Sequence, residues 1–141
     1  MSSDSLTSRL GYLLKHAQQR LALMNSAALK PHGIDGRELA ILLVLADHEQ
    51  QSQQQAAGAL GIDRTTMVAF LDTLERKRLV TRRAHADDRR KNVVELTEIG
   101  REVLRNATEA ADAAERDFLT PLSSRQGEQL KAALLAVIES S

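Results

Sequence analysis

A chain of 141 residues has the length of one domain, and 43% hydrophobic content suffices for a core, which excludes a multidomain enzyme and a disordered polypeptide. Aromatic residues make up only 2%, so the core must be Leu, Val, Ile and Ala packed between helices, and a mostly α fold is expected. Nineteen bases balance nineteen acids, and the lack of cysteine excludes disulfides, thiolate metal sites and thiol nucleophiles.

Leu6, Leu10, Leu13, Leu14, Ala17, Leu21 and Met24 recur in steps of three and four, which predicts one long helix from about residue 5 to 29 with an apolar face in need of a partner. Pro31 and Gly33 interrupt it. Asp35 can cap a second helix whose run from Leu39 to Leu45 is apolar nearly all round, as expected of a buried central helix. After a Gln-rich stretch, Ser52 caps a third helix, Gly61 ends it and Asp63 caps a fourth. In that fourth helix Met67, Phe70, Leu71 and Leu74 share a core face, while Thr65, Thr66, Ala69 and Thr73 face outward. Two helices joined by a tight, Gly-containing turn form a helix-turn-helix pattern.

The β-branched stretches 79–83 and 92–96 predict a hairpin with a charged tip holding Asp87, Asp88, Arg89 and Arg90. Thr97 can then cap a helix from Glu98 to about Phe118, and Pro121 with Ser123 opens a last helix carrying Leu130, Leu134, Leu135, Val137 and Ile138. No basic, apolar leader opens the chain, and no window approaches the roughly 18 apolar residues of a membrane span, so a cytoplasmic protein without membrane contact is expected.

Charge is unevenly placed. Residues 63–91 hold nine bases against five acids, a net +4, and the rest of the chain is therefore −4. Positive charge gathered on the second helix of a helix-turn-helix and on the adjoining hairpin is the pattern expected for contact with a phosphate backbone. A merely solvated charged face is the plainer account of the same residues.

The stretch from Ala56 to Met67, the stretch from Leu74 to Val80 and, above all, Asp88-Arg89-Arg90-Lys91 running through Leu96-Thr97-Glu98-Ile99-Gly100 resemble the MarR family of winged helix-turn-helix transcriptional regulators. The resemblance covers nearly the whole chain. It implies a winged helix-turn-helix lobe over residues 34–97, with a two-stranded β wing, and dimerisation helices over 5–30 and 98–141. It further implies a homodimer, most simply a repressor, whose two recognition helices enter double-stranded DNA at a pseudo-palindrome about one turn, roughly 34–36 Å, apart. The unpartnered leucine stripes of the first and last helices agree with a dimer on their own account.

Reach and chemistry assign roles. Thr65, Thr66, Val68, Ala69 and Thr73 are the base-contact candidates of the recognition helix, and Arg64, Arg76 and Lys77 the phosphate-contact candidates. In the wing, Arg90 matches the family's minor-groove arginine and Asp88 the aspartate that holds the wing in shape, with Arg89 and Lys91 beside them. A soluble loop tip would also explain these four. Ala69 and Thr73 stand where the family often has a base, which weakens direct guanine readout. Arg78 stands where glycine is common, at a cost of about 1 kcal/mol if φ there is positive. Ala86 replaces a frequent wing proline.

The resemblance also implies release by a small phenolic or carboxylate ligand. Tyr12, His16 and Arg20, four apart on the first helix, are the candidates for holding an aromatic or anionic compound, although exposure of His16 and Arg20, or their pairing with the acidic penultimate helix, is the plainer account. No cofactor and no metal are expected, because the four histidines are scattered. Phosphate-binding glycine loops, Gly-x-Ser-x-Gly and acid–base pairs are absent from the sequence, so an enzyme is not expected. A winged-helix protein-interaction module without specific DNA binding is the alternative.

Overall fold

The computed structural model describes residues 5–47, 51–84, 87 and 92–140. Helix α1 spans Leu10–Leu29, starting later than the leucine spacing predicts. Residues 5–8 form turns in which the Ser8 hydroxyl donates to the Ser5 carbonyl at 3.4 Å and the Arg9 N–H to that of Leu6 at 3.1 Å. Serine offers the backbone local partners that compete with helix, and Arg9 supplies no side-chain cap. A 3₁₀ turn, Lys30–His32, leads into α2, Gly36–Asp47. There Asp35 Oδ1 accepts the Glu38 N–H at 2.8 Å while Glu38 Oε1 accepts the Asp35 N–H at 3.0 Å, so both ends of the first turn are satisfied. Leu39, Ile41, Leu42 and Leu45 are buried, but Leu43 is exposed, so α2 is central without being enclosed all round.

Helix α3, Gln53–Leu60, opens on a reciprocal Ser52–Gln55 capping box and closes at Gly61, whose φ of 65° lets the Ile62 N–H reach back to the Ala57 carbonyl at 3.1 Å. Helix α4 follows over Arg64–Arg76 with Met67, Leu71 and Leu74 buried and Phe70 half-buried. It ends by the same device. Arg78 adopts φ 65°, the sole positive φ outside glycine among the described residues, while its N–H bonds the Glu75 carbonyl at 2.9 Å and the Leu79 N–H bonds the Leu74 carbonyl at 3.0 Å.

Strands β2, Val80–Ala84, and β3, Asn92–Leu96, pair antiparallel with Val80 opposite Leu96 and Ala84 opposite Asn92. The expected two-stranded hairpin gains a third, two-residue strand: β1, Gln51–Ser52, pairs the free edge of β3, giving the order β1-β3-β2. Two residues carry no alternation to read, which is why the pairing escapes sequence patterning.

Helix α5, Glu98–Phe118, starts at a tight junction. The Thr97 hydroxyl donates to the Arg78 carbonyl at 2.6 Å and accepts the Gly100 N–H at 2.9 Å, and the Thr97 N–H donates to the Leu79 carbonyl at 3.0 Å. A Cβ on Gly100 would lie 2.0 Å from the Leu79 oxygen, so only glycine permits this approach. Helix α6, Ser124–Glu139, begins on a Ser123–Gln126 capping box and is tied to α5 by Lys131 Nζ and Glu115 at 2.6 Å.

The core joins α2, α3, α4 and the hairpin to Leu29 of α1 and to Leu104 and Ala107 of α5. This is a mostly α, winged helix-turn-helix fold. Helix α1 runs along α5, yet Leu10, Leu13, Leu14 and Leu23 remain exposed, and in α6 every residue from Glu128 to Glu139 is exposed.

Candidate nucleic-acid interface

Helix α4 is set by its cap. Asp63 Oδ1 accepts the Thr66 N–H at 2.7 Å, and this bonding holds the Asp63 carboxyl below its ordinary value. Met67, Leu71 and Leu74 turn one side of the helix into the core, leaving Arg64, Thr65, Ala69 and Arg76 exposed and Thr66, Val68 and Thr73 half-buried. The base-contact and phosphate-contact candidates are thus brought together on one helix, with Lys77 as the exception.

Lys77 turns toward the lobe. Its Nζ lies 2.8 Å from Glu38 Oε2 and 2.8 Å from the Gly33 carbonyl, and Glu38 is only 5% exposed. The charge assigned to phosphate contact therefore compensates a buried carboxylate and joins the end of α4 to the start of α2. Arg76 stays outside, where its guanidinium donates to Thr73 Oγ1 at 3.2 Å, and that hydroxyl in turn donates to the Ala69 carbonyl at 3.2 Å. Thr73 thus spends its hydroxyl on its own helix.

The acids of α4 are also occupied. Arg82 of β2 donates to Asp72 Oδ1 at 2.6 Å and to Glu75 Oε1 at 2.8 Å, so one guanidinium bridges α4 to the hairpin. Its hydrogen bond to Glu75 lowers that carboxyl below the ordinary range, and the arginine itself is held more firmly protonated, chiefly by Glu75. One guanidinium shared by two carboxylates leaves that trio at −1, so the bridge reduces the field of the acids beside the exposed Arg64 and Arg76 without cancelling it. Arg83 pairs with Glu95 across the hairpin at 2.7 Å. Sequence reasoning missed Arg82 as a positioning residue; the acids at 72 and 75, three apart on one helix face, were the available signal.

A small cleft of about 210 Å³ opens where α3 and α4 begin, lined by Gln53, Arg64, Val68 and Asn92 among others, and the buried Gln53 Oε1 has no hydrogen-bond partner there. The wing candidates Asp88, Arg89, Arg90 and Lys91 lie outside the described residues, as do His48, Glu49, His85 and Ala86. On α1 the Tyr12 and His16 rings lie 4.0 Å apart at a tilt of 35°, and Arg20 is exposed one turn further along. Among the described residues no cluster of His, Asp and Glu could hold a metal ion, and no helix is long and apolar enough to cross a membrane.

Against known proteins, residues 32–91 match the model of the MarR family. Over 100 residues the chain is 33% identical to the transcriptional repressor NicR of Pseudomonas putida, an alignment covering 70% of this chain and 63% of that protein's length. The fold superposes on the transcriptional repressor CouR bound to a 23-mer DNA duplex with a TM-score of 0.89 and 31% identity, covering 99% of both chains. It also matches CouR from Rhodococcus jostii RHA1 bound to p-coumaroyl-CoA, at a TM-score of 0.83 and 26% identity over 99% of this chain and 98% of that one.

Proposed function

The chain belongs to the MarR family of transcriptional regulators, and we propose that it is a homodimeric repressor that binds a pseudo-palindromic operator and is released by a small phenolic or carboxylate ligand. The observation that carries this reading is the outer side of α4, where Arg64, Thr65, Ala69 and Arg76 are exposed while Asp72 and Glu75 are paired with Arg82. A short-chained helix face with an exposed arginine at each end, beside a β hairpin, fits a major groove. Residues 34–97 act as the DNA-reading lobe, and residues 5–30 and 98–141 as the dimerisation region.

Within that lobe Thr65, Thr66, Val68 and Ala69 meet base edges, and Arg64 and Arg76 meet phosphates. Thr73 backs them by holding Arg76. Asp88, Arg89, Arg90 and Lys91 form the wing's contact, with Arg90 in the minor groove. The DNA-bound CouR supports the partner, and CouR with p-coumaroyl-CoA supports release by an aromatic acid derivative, for which Tyr12, His16 and Arg20 remain the candidates on α1.

The test is fluorescence anisotropy against the DNA upstream of the protein's own gene and a scrambled duplex, each at two salt concentrations. Preference for the upstream fragment that survives high salt is expected. Equal binding to both duplexes, erased by salt, would mean that α4 does not read sequence there and would favour a protein-interaction module.

A further inference from the structure

The cleft of about 210 Å³ where α3 and α4 begin is lined by Gln53 and Gln54 of α3, by Arg64, Met67 and Val68 of α4 and by Asn92 of β3. Gln53 Oε1 is buried there and accepts no hydrogen bond. An amide oxygen withheld from both water and a donor destabilises the fold, so its presence calls for a physical reason. The start of α3 offers it no donor. Ser52 and Gln55 are committed to each other, the Ser52 hydroxyl accepting the Gln55 N–H at 3.1 Å and Gln55 Oε1 accepting the Ser52 N–H at 3.0 Å.

Among the described residues Arg64 is the one cation that lines the cleft. It is exposed, and its guanidinium makes no ion pair or hydrogen bond within that set. As the first residue of α4 it stands where the macrodipole opposes a positive charge, so the cation serves an outside anion better than it serves the helix. A free arginine samples many rotamers, which must be given up before a phosphate can be held. An acceptor within the side chain's reach removes part of that loss. The guanidinium presents five N–H donors in a rigid plane, so one can bond an amide oxygen while others stay directed outward.

We propose that Gln53 is a positioning residue for DNA binding: its Oε1 accepts a hydrogen bond from the Arg64 guanidinium when a duplex lies against α4, and so holds that cation toward a backbone phosphate. The inference rests on the reading of α4 as the helix that meets DNA. In the free protein water competes for the exposed guanidinium, and a phosphate on its outer side excludes that water and strengthens the bond. Gln53 touches no base. Its effect is therefore the same on any duplex, because phosphates carry no sequence.

Fluorescence anisotropy at about 50 mM salt, with the DNA upstream of the protein's own gene and with a scrambled duplex, gives Kd for the parent, Gln53→Leu, Arg64→Ala and the double variant. Leucine keeps much of the side chain's bulk and removes the unpartnered acceptor, so the urea midpoint of Gln53→Leu is expected to equal or exceed the parent's. Its Kd is expected to rise about three- to tenfold on both duplexes, whereas in the Arg64→Ala background the same substitution is expected to change Kd by less than about 1.5-fold. A merely structural Gln53 would weaken binding alike in both backgrounds. The proposal is overturned if Gln53→Leu binds as the parent does, or if its loss is as large without Arg64 as with it, as it would be were a water or Asn92 the donor. Either result leaves the DNA-binding reading standing, while a parent that binds neither duplex removes that reading and this inference together.

Discussion

Gly100 and Arg78 make opposite demands on the same few ångströms. Gly100 is required because its Cα faces the Leu79 carbonyl, and a methyl group there would have to displace backbone on both sides of the junction. Gly100→Ala is expected to destabilise by about 3 kcal/mol or more, beyond the usual range for a solvent-facing helix residue, as a clear drop in thermal midpoint would register. Arg78 is the converse, an L-residue at φ 65° where glycine would be unstrained. Arg78→Gly should therefore stabilise the fold by about 1 kcal/mol, read as a higher urea midpoint, and an unchanged or lower midpoint would show that the arginine's stem or charge offsets the strain.

At the scale of elements, two neighbouring cations of α4 should separate cleanly. Arg76 is exposed, so Arg76→Gln is expected to leave the urea midpoint unchanged, to weaken duplex binding several-fold and to lower the salt slope by about one. Lys77→Met leaves the buried Glu38 without its cation and should instead cost about 1–3 kcal/mol of stability. The Arg82 bridge predicts a pH signature. Glu75 is held below its ordinary 4.5, so its contribution is present above that pH and is lost as pH falls through the lower, folded-state value. Comparing urea midpoints at about pH 7 and about pH 3, Arg82→Gln should lose less stability on acidification than the parent, and equal losses would remove the bridge from the account.

These same elements show what a sequence displays and what it hides. Caps at Asp35, Ser52, Asp63, Thr97 and Ser123 are legible because a cap is decided within four residues. The Lys77–Glu38 pair is not, since its partners stand 39 residues apart and meet only after α2 and α4 have packed. The outward side of α4 is legible from the 3.6-residue period alone, but that period says nothing of which polar groups are already spent, as Thr73 and Lys77 illustrate.

For the molecule as a whole, the exposed apolar rows of α1 and α6 demand a cover. Leu134, Leu135, Val137 and Ile138 lie on a helix that is exposed from Glu128 onward, more apolar surface than an isolated small domain usually presents. Light scattering at micromolar concentration is expected to give twice the chain mass, and Leu134→Glu with Ile138→Glu to give a folded monomer with sharply weaker DNA binding. A parent protein that scatters as a monomer would leave the two recognition helices without fixed spacing.

The junction of Thr97 and Gly100 with Arg78 and Leu79 then acquires a mechanical meaning. It welds the end of α4 and the root of the hairpin to the start of α5, so that in the proposed regulator α5 would act as a lever pivoting near Gly100. At 21 residues the lever is about 31 Å long, and a tilt of about 5° at the fulcrum sweeps its far end through about 3 Å. Read in reverse, in the proposed dimer a partner that grips the far end of α5 would dictate the attitude of α4, and slack at a single glycine would be enough to put two such helices out of step with one turn of a double helix.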